Sequence, residues 1–216
     1  MTDLTTVSKV PGSKYLWSYQ GEAGPAMWGN LSPEYKACSL GLSQSPVDIP
    51  RHSYLTQNAI SLSGRLSIAE ITTAHGLLNV EMRSAGQFEV SGQSFALQSL
   101  QIHTPSEHLL SGMSYPMEVQ FYGNSATGLS SAISVFVEIG SRNHGVDRLI
   151  TAMKSVDRRL PNKIDNFSVV DLIPKDLSAY QYQGSLTSPP CTEGVLWNVL
   201  QKPIELSEDQ VADLRK

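Results

Sequence analysis

Short runs of alternating hydrophobic and polar residues recur along the chain, and such alternation is typical of half-buried β-strands. It predicts strands over residues 64–71, 77–83, 87–90, 95–103 and 117–122. The run 132–139 is almost continuously apolar, which indicates a strand that is buried on both faces. Gly, Ser, Pro or Asn residues flank these runs, as expected where strands end in turns.

Helical periodicity is weaker and is confined to two short segments. A helix is predicted over 146–156 from the spacing of Leu149, Ile150, Met153 and Val156. Another is predicted over 207–216, because its Ser-Glu-Asp-Gln start is typical of a capped helix. No repeat, low-complexity segment or linker interrupts the chain. We therefore expect a single, mainly β domain over residues 1–216.

Composition narrows the class of protein further. The 216 residues are 40% hydrophobic and 17% charged, which suits a folded chain with a sizeable core. A net charge of −4 without a basic run argues against binding of nucleic acid or glycosaminoglycan. No apolar run approaches the ~20 residues of a membrane-spanning helix. Residues 1–18 lack the apolar core of a signal peptide, so we expect a trimmed precursor or a chain that stays where it is made.

Two cysteines, Cys38 and Cys191, lie far apart in the sequence. Their number alone allows either a disulfide or two buried thiols. Buried thiols are the commoner state in a cytosolic protein, because reducing systems there keep cysteines free.

Three peptides are much more specific than these patterns. The first is the aromatic-rich stretch 17–28, which is followed by Gln-Ser-Pro-Val-Asp-Ile at 44–49. The second is His-Thr-Pro-Ser-Glu-His at 103–108 with Pro-Met-Glu at 116–118, and the third is Gly-Ser-Leu-Thr-Ser-Pro-Pro-Cys-Thr-Glu-Gly-Val-Leu-Trp at 184–197. In order and spacing, from Trp17 to about Ile204, they resemble the α-class carbonic anhydrases.

This resemblance implies a large, twisted, mostly antiparallel central sheet with short surface helices. It also implies that Cys38 and Cys191 form a disulfide that anchors the loop bearing Thr187, and hence an oxidising compartment such as an organelle lumen or the extracellular space. Members of the family continue for some 30 to 40 residues beyond the Ser-x-x-Gln element seen at 207–210. If the chain ends naturally at Lys216, we expect a partner protein or a larger assembly to cover the surface left open.

The sequence departs from the family pattern at the zinc site. The family holds zinc with three histidines, two at alternate positions of one strand and one on the neighbouring strand. Gln101 and Gln120 stand at two of these positions, and only His103 is retained. Amide oxygens are poor ligands for Zn²⁺ beside imidazole, thiolate and carboxylate. We therefore expect no zinc and no other cofactor, and we expect the two amides to bond to each other and to His103.

Other family positions are kept. By the resemblance, Thr187 matches the hydroxyl that orients a zinc-bound hydroxide, and Glu107 matches the carboxylate that accepts the proton of that hydroxyl. Glu118 matches the carboxylate that holds a ligand histidine in place. Their alternative role is structural, since buried carboxylates and hydroxyls need partners in any case. The proton-shuttle position falls on His75 or Gly76. The expected walls of the apolar pocket are Tyr122, Ala132, Leu186 and Trp197, of which the first two replace valines of the family.

Two classes of function follow from these residues. The leading hypothesis is a carbonic-anhydrase-like pseudoenzyme that acts as a structural or protein-binding module. The alternative is a weak or metal-variant carbonic anhydrase or an esterase, supported by Thr187 and Glu107; a storage or structural role remains a third. Whether the former metal cavity binds an anion or small molecule stays open. Sequons at Asn30 and Asn166 are compatible with secretion but do not establish it.

Overall fold

A computed structural model describes residues 17–215 except for 51, 54, 57–59, 64–66, 76, 84–85 and 155–161. The strands are β1 Asp48–Ile49, β2 Leu55–Thr56, β3 Ile60–Ser63, β4 Ser67–Ala74, β5 Leu77–Arg83, β6 Gln87–Val90, β7 Gln93–His103, β8 Leu109–Leu110, β9 Met117–Asn124, β10 Ser130–Ile139, β11 Asn162–Phe167, β12 Ala179–Ser185, β13 Glu193–Leu200 and β14 Ile204–Leu206. The α-helices are α1 Trp28–Leu31, α2 Ala37–Leu40, α3 His144–Lys154 and α4 Glu208–Leu214. This content confirms the mainly β class.

Twelve of these strands form one sheet, in which the central path runs β11-β4-β5-β7-β9-β10-β13-β12-β2. Most neighbours are antiparallel, whereas β10 pairs in parallel with both β13 and β14. Strands β3 and β6 extend the sheet beside β7, and β1 and β8 form a separate parallel pair. The expected large, mostly antiparallel sheet is therefore confirmed.

The central strand β9 separates two different environments. Successive side chains of a strand point to opposite faces. Met117, Val119 and Phe121 accordingly enter the main apolar core, whereas Glu118 and Gln120 are buried on the other face. The functional candidates therefore lie on the face of β9 that turns away from the main core.

Helices α3 and α4 cover the main core. Helix α3 buries Val146, Leu149 and Ile150 at near-helical spacing. Helix α4 begins with a capping box, in which the Ser207 hydroxyl accepts from the Gln210 backbone N–H and the Gln210 side chain accepts from the Ser207 N–H. These bonds satisfy backbone donors that the first turn of a helix leaves free.

Sequence periodicity located most of the central strands. All six predicted runs contain strands of the sheet, namely β4, β5, β6, β7, β9 and β10, and both predicted helices are present as α3 and α4. The predicted residues 64–66, 155–156 and 216 lie outside the described residues. The alternation analysis missed β1 to β3, β8 and β11 to β14. The single domain over 1–216 stays a prediction.

Replacing Ser207 with Ala should lower the free energy of unfolding by about 1 kcal/mol, because it removes the acceptor at the start of α4. Urea unfolding would measure the change, with Ser207→Thr as the matched variant that keeps a hydroxyl. Equal stability of Ser207→Ala and the unmodified protein would contradict this role of the cap.

Candidate functional site

The register of β7 and β9 brings the three candidate metal positions together. Gln101 lies opposite Gln120, and His103 lies opposite Glu118. Since the two members of each strand's pair are two residues apart, all four side chains point to the same face of the sheet. His103 and Gln120 are buried there.

The amide of Gln120 uses all of its hydrogen-bonding positions. Its Nε2 donates to Glu118 Oε1 at 2.8 Å and to Glu107 Oε2 at 3.0 Å. Its Oε1 accepts from the Tyr122 hydroxyl at 2.6 Å and from Thr187 Oγ1 at 3.3 Å. An amide offers two N–H donors and two lone pairs, so nothing is left for Gln101. The expected amide–amide bond is therefore wrong for Gln120.

Glu118 is a fully buried carboxylate at the centre of this network. Its Oε2 accepts from the backbone N–H groups of Glu107 at 2.9 Å and His108 at 2.8 Å. Its Oε1 lies 2.7 Å from His108 Nδ1 and accepts from the Ser134 hydroxyl at 2.7 Å. Burial by itself would raise the pKa of Glu118, but the charge and hydrogen bond of His108 outweigh it and hold the pKa at about 2.

A chain of polar contacts continues from His108 to β12 and to Ser45. His108 Nε2 lies 2.7 Å from the Tyr182 hydroxyl, which donates to Ser45 Oγ at 2.8 Å. Ser45 Oγ also accepts from the backbone N–H of Ser185 at 3.0 Å. The network thereby connects β9, β12 and the segment at Ser45, and it gives the buried His108 a structural role.

The loop that carries Thr187 is fixed covalently. Cys38 and Cys191 form a disulfide, as the family resemblance implied, with their Cα atoms 5.0 Å apart. Gln44 Nε2 donates to the Cys191 carbonyl at 3.2 Å. Thr187 is buried and keeps its hydroxyl next to the amide of Gln120. The disulfide favours an oxidising environment, because thiols remain reduced in the cytosol of most organisms.

The structure brings the four expected pocket residues into one apolar cluster beside Gln120. Ala132 and Trp197 are fully buried, and Tyr122 and Leu186 pack against them. The rings of Tyr122 and Trp197 meet edge to face with centroids 5.8 Å apart. The Trp197 indole N–H donates to the Ser185 carbonyl at 2.8 Å.

Among the described residues, two buried polar atoms at the site lack a hydrogen-bond partner of normal geometry, namely His103 Nε2 and the Tyr19 hydroxyl. The other nitrogen of His103, Nδ1, lies 3.3 Å from Glu107 Oε1. The rings of Tyr19 and His103 meet edge to face at 6.1 Å. Burial first, and then the nearby Glu107 carboxylate, raises the pKa of Tyr19. Buried polar atoms are nearly always paired, so these two are exceptions among the described residues of the site.

The expected shuttle residue His75 lies beside the aromatic stretch near Trp17. Its ring stacks on that of Trp17 with centroids 3.9 Å apart, and its Nδ1 lies 2.7 Å from the Trp17 carbonyl oxygen. Gly76 falls outside the described residues.

Sequence reasoning overlooked three polar residues of this network. No sequence pattern singles out Tyr19, Tyr182 or Ser134 as a residue of this site. A weaker signal existed for Ser134, because it is a hydroxyl within the nearly continuous apolar run 132–139. No pattern in the sequence pointed to Tyr182, since its partners are separated from it by 74 and 137 positions.

The curled sheet and the buried polar face of β7 and β9 define a protein of the α-type carbonic anhydrase class. A family model described as eukaryotic-type carbonic anhydrase matches residues 23–216, and this chain belongs to that family.

Individual relatives agree with this assignment. A carbonic anhydrase of Pectobacterium atrosepticum is 31% identical over 198 residues, which cover 90% of this chain and 80% of that protein. The α-carbonic anhydrase of Thermovibrio ammonificans, solved with the inhibitor sulfanilamide, is 31% identical, with a TM-score of 0.83 over 94% of this chain and 90% of that one. A dioscorin solved with ascorbate is 28% identical, with a TM-score of 0.84 over 92% of this chain and 87% of that one.

The family implies a zinc ion, and the residues at its place do not fit one. They offer a single imidazole and two amides, and the amide oxygen of Gln120 already accepts two hydrogen bonds. Zinc sites in proteins use thiolate, imidazole and carboxylate ligands. Within the described residues, no three His, Cys, Asp or Glu side chains are grouped so that they could hold a metal ion.

Replacing Glu118 with Gln should lower the free energy of unfolding by about 3 kcal/mol. In either orientation, the new NH₂ group would face donors: the two backbone N–H groups at Oε2, or Gln120 Nε2 and its neighbours at Oε1. Urea unfolding would measure this loss, with the exposed Glu138→Gln as the matched control on β10.

The pH dependence of stability provides a second test with the same variant, Glu118→Gln. The pKa of Glu118 is about 2 in the folded protein and ordinarily 4.5. Its contribution is therefore complete above pH 4.5 and is lost as the pH falls towards 2. Glu118→Gln should have a flatter stability profile across that range. A profile as steep as that of the unmodified protein would place the acid sensitivity in other groups.

Proposed function

We propose that this chain is a carbonic anhydrase family member that does not use a zinc-bound hydroxide and instead serves as a structural or protein-binding module. The observation that carries the proposal is the saturated amide of Gln120, which sits at a ligand position with its oxygen bonded to two hydroxyls and its nitrogen to two carboxylates. To serve as a ligand, this amide would have to give up those bonds.

The retained Thr187 and Glu107 are the main support for the enzymatic alternative. In this chain both side chains have other partners. Thr187 donates to Gln120, and the Glu107 carboxylate accepts from Gln120 and contacts His103. These contacts favour a role in holding the buried polar cluster together, because each group satisfies another that is removed from water.

An oxidising compartment is part of the proposal, and the disulfide Cys38–Cys191 supports it. The helices of the described part of the chain are all too short or too polar to traverse a bilayer. The expected protein partner stays a prediction.

The decisive measurement is the zinc content of the protein after dialysis against zinc, together with CO₂ hydration with and without a sulfonamide. We expect zinc far below one ion per chain and no rate that a sulfonamide inhibits. One tightly bound zinc with sulfonamide-sensitive turnover would overturn the proposal and establish the weak or metal-variant enzyme.

Binding of a small oxygen-rich molecule is a second candidate function. Two buried atoms that lack a partner of normal geometry among the described residues, His103 Nε2 and the Tyr19 hydroxyl, favour it. A molecule with several hydroxyl or carbonyl oxygens could supply hydrogen bonds to both. The related dioscorin, solved in complex with ascorbate, makes ascorbate a reasonable first probe.

Isothermal titration with ascorbate should detect binding that Tyr19→Phe weakens roughly tenfold, the effect of one lost hydrogen bond of about 1.4 kcal/mol. Tyr35→Phe is the matched control, since Tyr35 packs in the same aromatic cluster. Absence of heat, or equal affinities of the two variants, would exclude ascorbate at this position.

A further inference from the structure

Tyr122 and Ala132 face each other directly across β9 and β10. The two side chains share the face of the sheet that carries Gln120, and both belong to the apolar cluster with Leu186 and Trp197. Directly opposed residues of an antiparallel pair have Cβ atoms about 5 Å apart. The size of one member therefore limits the size of the other.

The two residues differ strongly in size, and both pack in the same apolar cluster. Ala132 is fully buried and is the smallest apolar residue in a run that otherwise contains Ile133, Val135 and Val137. Its single methyl group leaves room for the phenol ring of Tyr122 over it. A β-branched residue at 132 would compete with that ring for the same volume, and overpacking a dense core is destabilising.

The phenol is held at its ring and at its hydroxyl. The ring packs edge to face on Trp197, and the hydroxyl donates to Gln120 Oε1 at 2.6 Å. The hydrogen bond also fixes which way the Gln120 amide points, because an oxygen must face the phenol while the NH₂ group faces the carboxylates. Tyr122 is thus a positioning residue for Gln120 as well as a wall of the pocket.

We propose that the Tyr122–Ala132 pair is a plug that closes the apolar pocket independently of the missing zinc histidines. Returning histidines at positions 101 and 120 would supply imidazole donors, but the phenol would still fill the space between Ala132, Leu186 and Trp197. A small apolar substrate such as CO₂ would then lack a place beside the metal. This inference rests on the proposed absence of zinc chemistry and extends it to a second, separable obstacle.

A thermodynamic cycle tests the size match without any metal. Ala132→Val and Tyr122→Val should each lower the melting temperature, by roughly 4 °C or more. The double variant should lower it by less than the sum of the two. Ile133→Val, on the same strand but in the main core, combined with Tyr122→Val should be additive and is the control. Additive losses for the Tyr122–Ala132 pair would overturn the size match.

Metal return tests the plug itself. Three variants are compared. The first is Gln101→His/Gln120→His, the second adds Tyr122→Phe to it, and the third instead adds Tyr122→Val and Ala132→Val. We expect all three variants to bind Co²⁺ with the visible absorption of a tetrahedral site. We expect CO₂ hydration to rise roughly 100-fold only when the ring is removed, while Tyr122→Phe, which keeps the ring, stays near the first variant.

The outcomes separate this inference from the proposed function. Full hydration by Gln101→His/Gln120→His alone, with Tyr122 in place, would overturn the plug and leave the proposed function intact. Zinc and turnover in the unmodified protein would overturn the proposed function. If the two-histidine variant misfolds, the cycle in the unmodified background still decides the size match, and additivity there would refute it.

Discussion

A negative charge buried at the centre of the sheet is the constraint on which the rest of this site depends. The carboxylate of Glu118 is removed from water entirely, and an isolated ion there would be prohibitively costly. Donors from the backbone at residues 107–108, from His108, from Ser134 and from Gln120 offset that cost. These donors come from three places in the fold, namely the loop after β7, strand β10 and strand β9 itself. The charge can therefore be accommodated only when β9, β10 and the loop after β7 are assembled together.

Gln120 extends this constraint to the rest of the cluster. Its nitrogen completes the shell of Glu118, so its oxygen must turn towards Tyr122 and Thr187. An imidazole at the same position could donate to Glu118 from one nitrogen and leave the other for a metal. An amide with four bonds has no such free atom. Gln120 thus completes a hydrogen-bonded network, while the surrounding scaffold is that of the carbonic anhydrase family.

On the apolar side of the site, the constraint is the volume of the side chains. Tyr122, Ala132 and Trp197 fill the space next to Gln120, and the opposed positions of β9 and β10 make the large and small residues interdependent. Polar saturation and close packing are separate physical effects. In this chain they act at alternate residues of one strand, and under the proposed function they together oppose both a metal and a small apolar molecule. By contrast, the buried His103 Nε2 and Tyr19 hydroxyl have no hydrogen-bond partner of normal geometry among the described residues.

The sequence by itself determined the mainly β class, the central strands and two helices, because period-2 and near-helical patterns of burial are local properties. Three long peptides also indicated the family and, through that resemblance, the disulfide; the replacement of two zinc histidines by Gln101 and Gln120 stays a prediction. Only the tertiary structure decided what the substituted residues do. Gln120 bonds to Glu107, Tyr122 and Thr187 rather than to Gln101, since its partners come from other segments whose distances no local pattern encodes. The pairing of Tyr122 with Ala132 likewise depends on strand register, which is set by the assembled sheet.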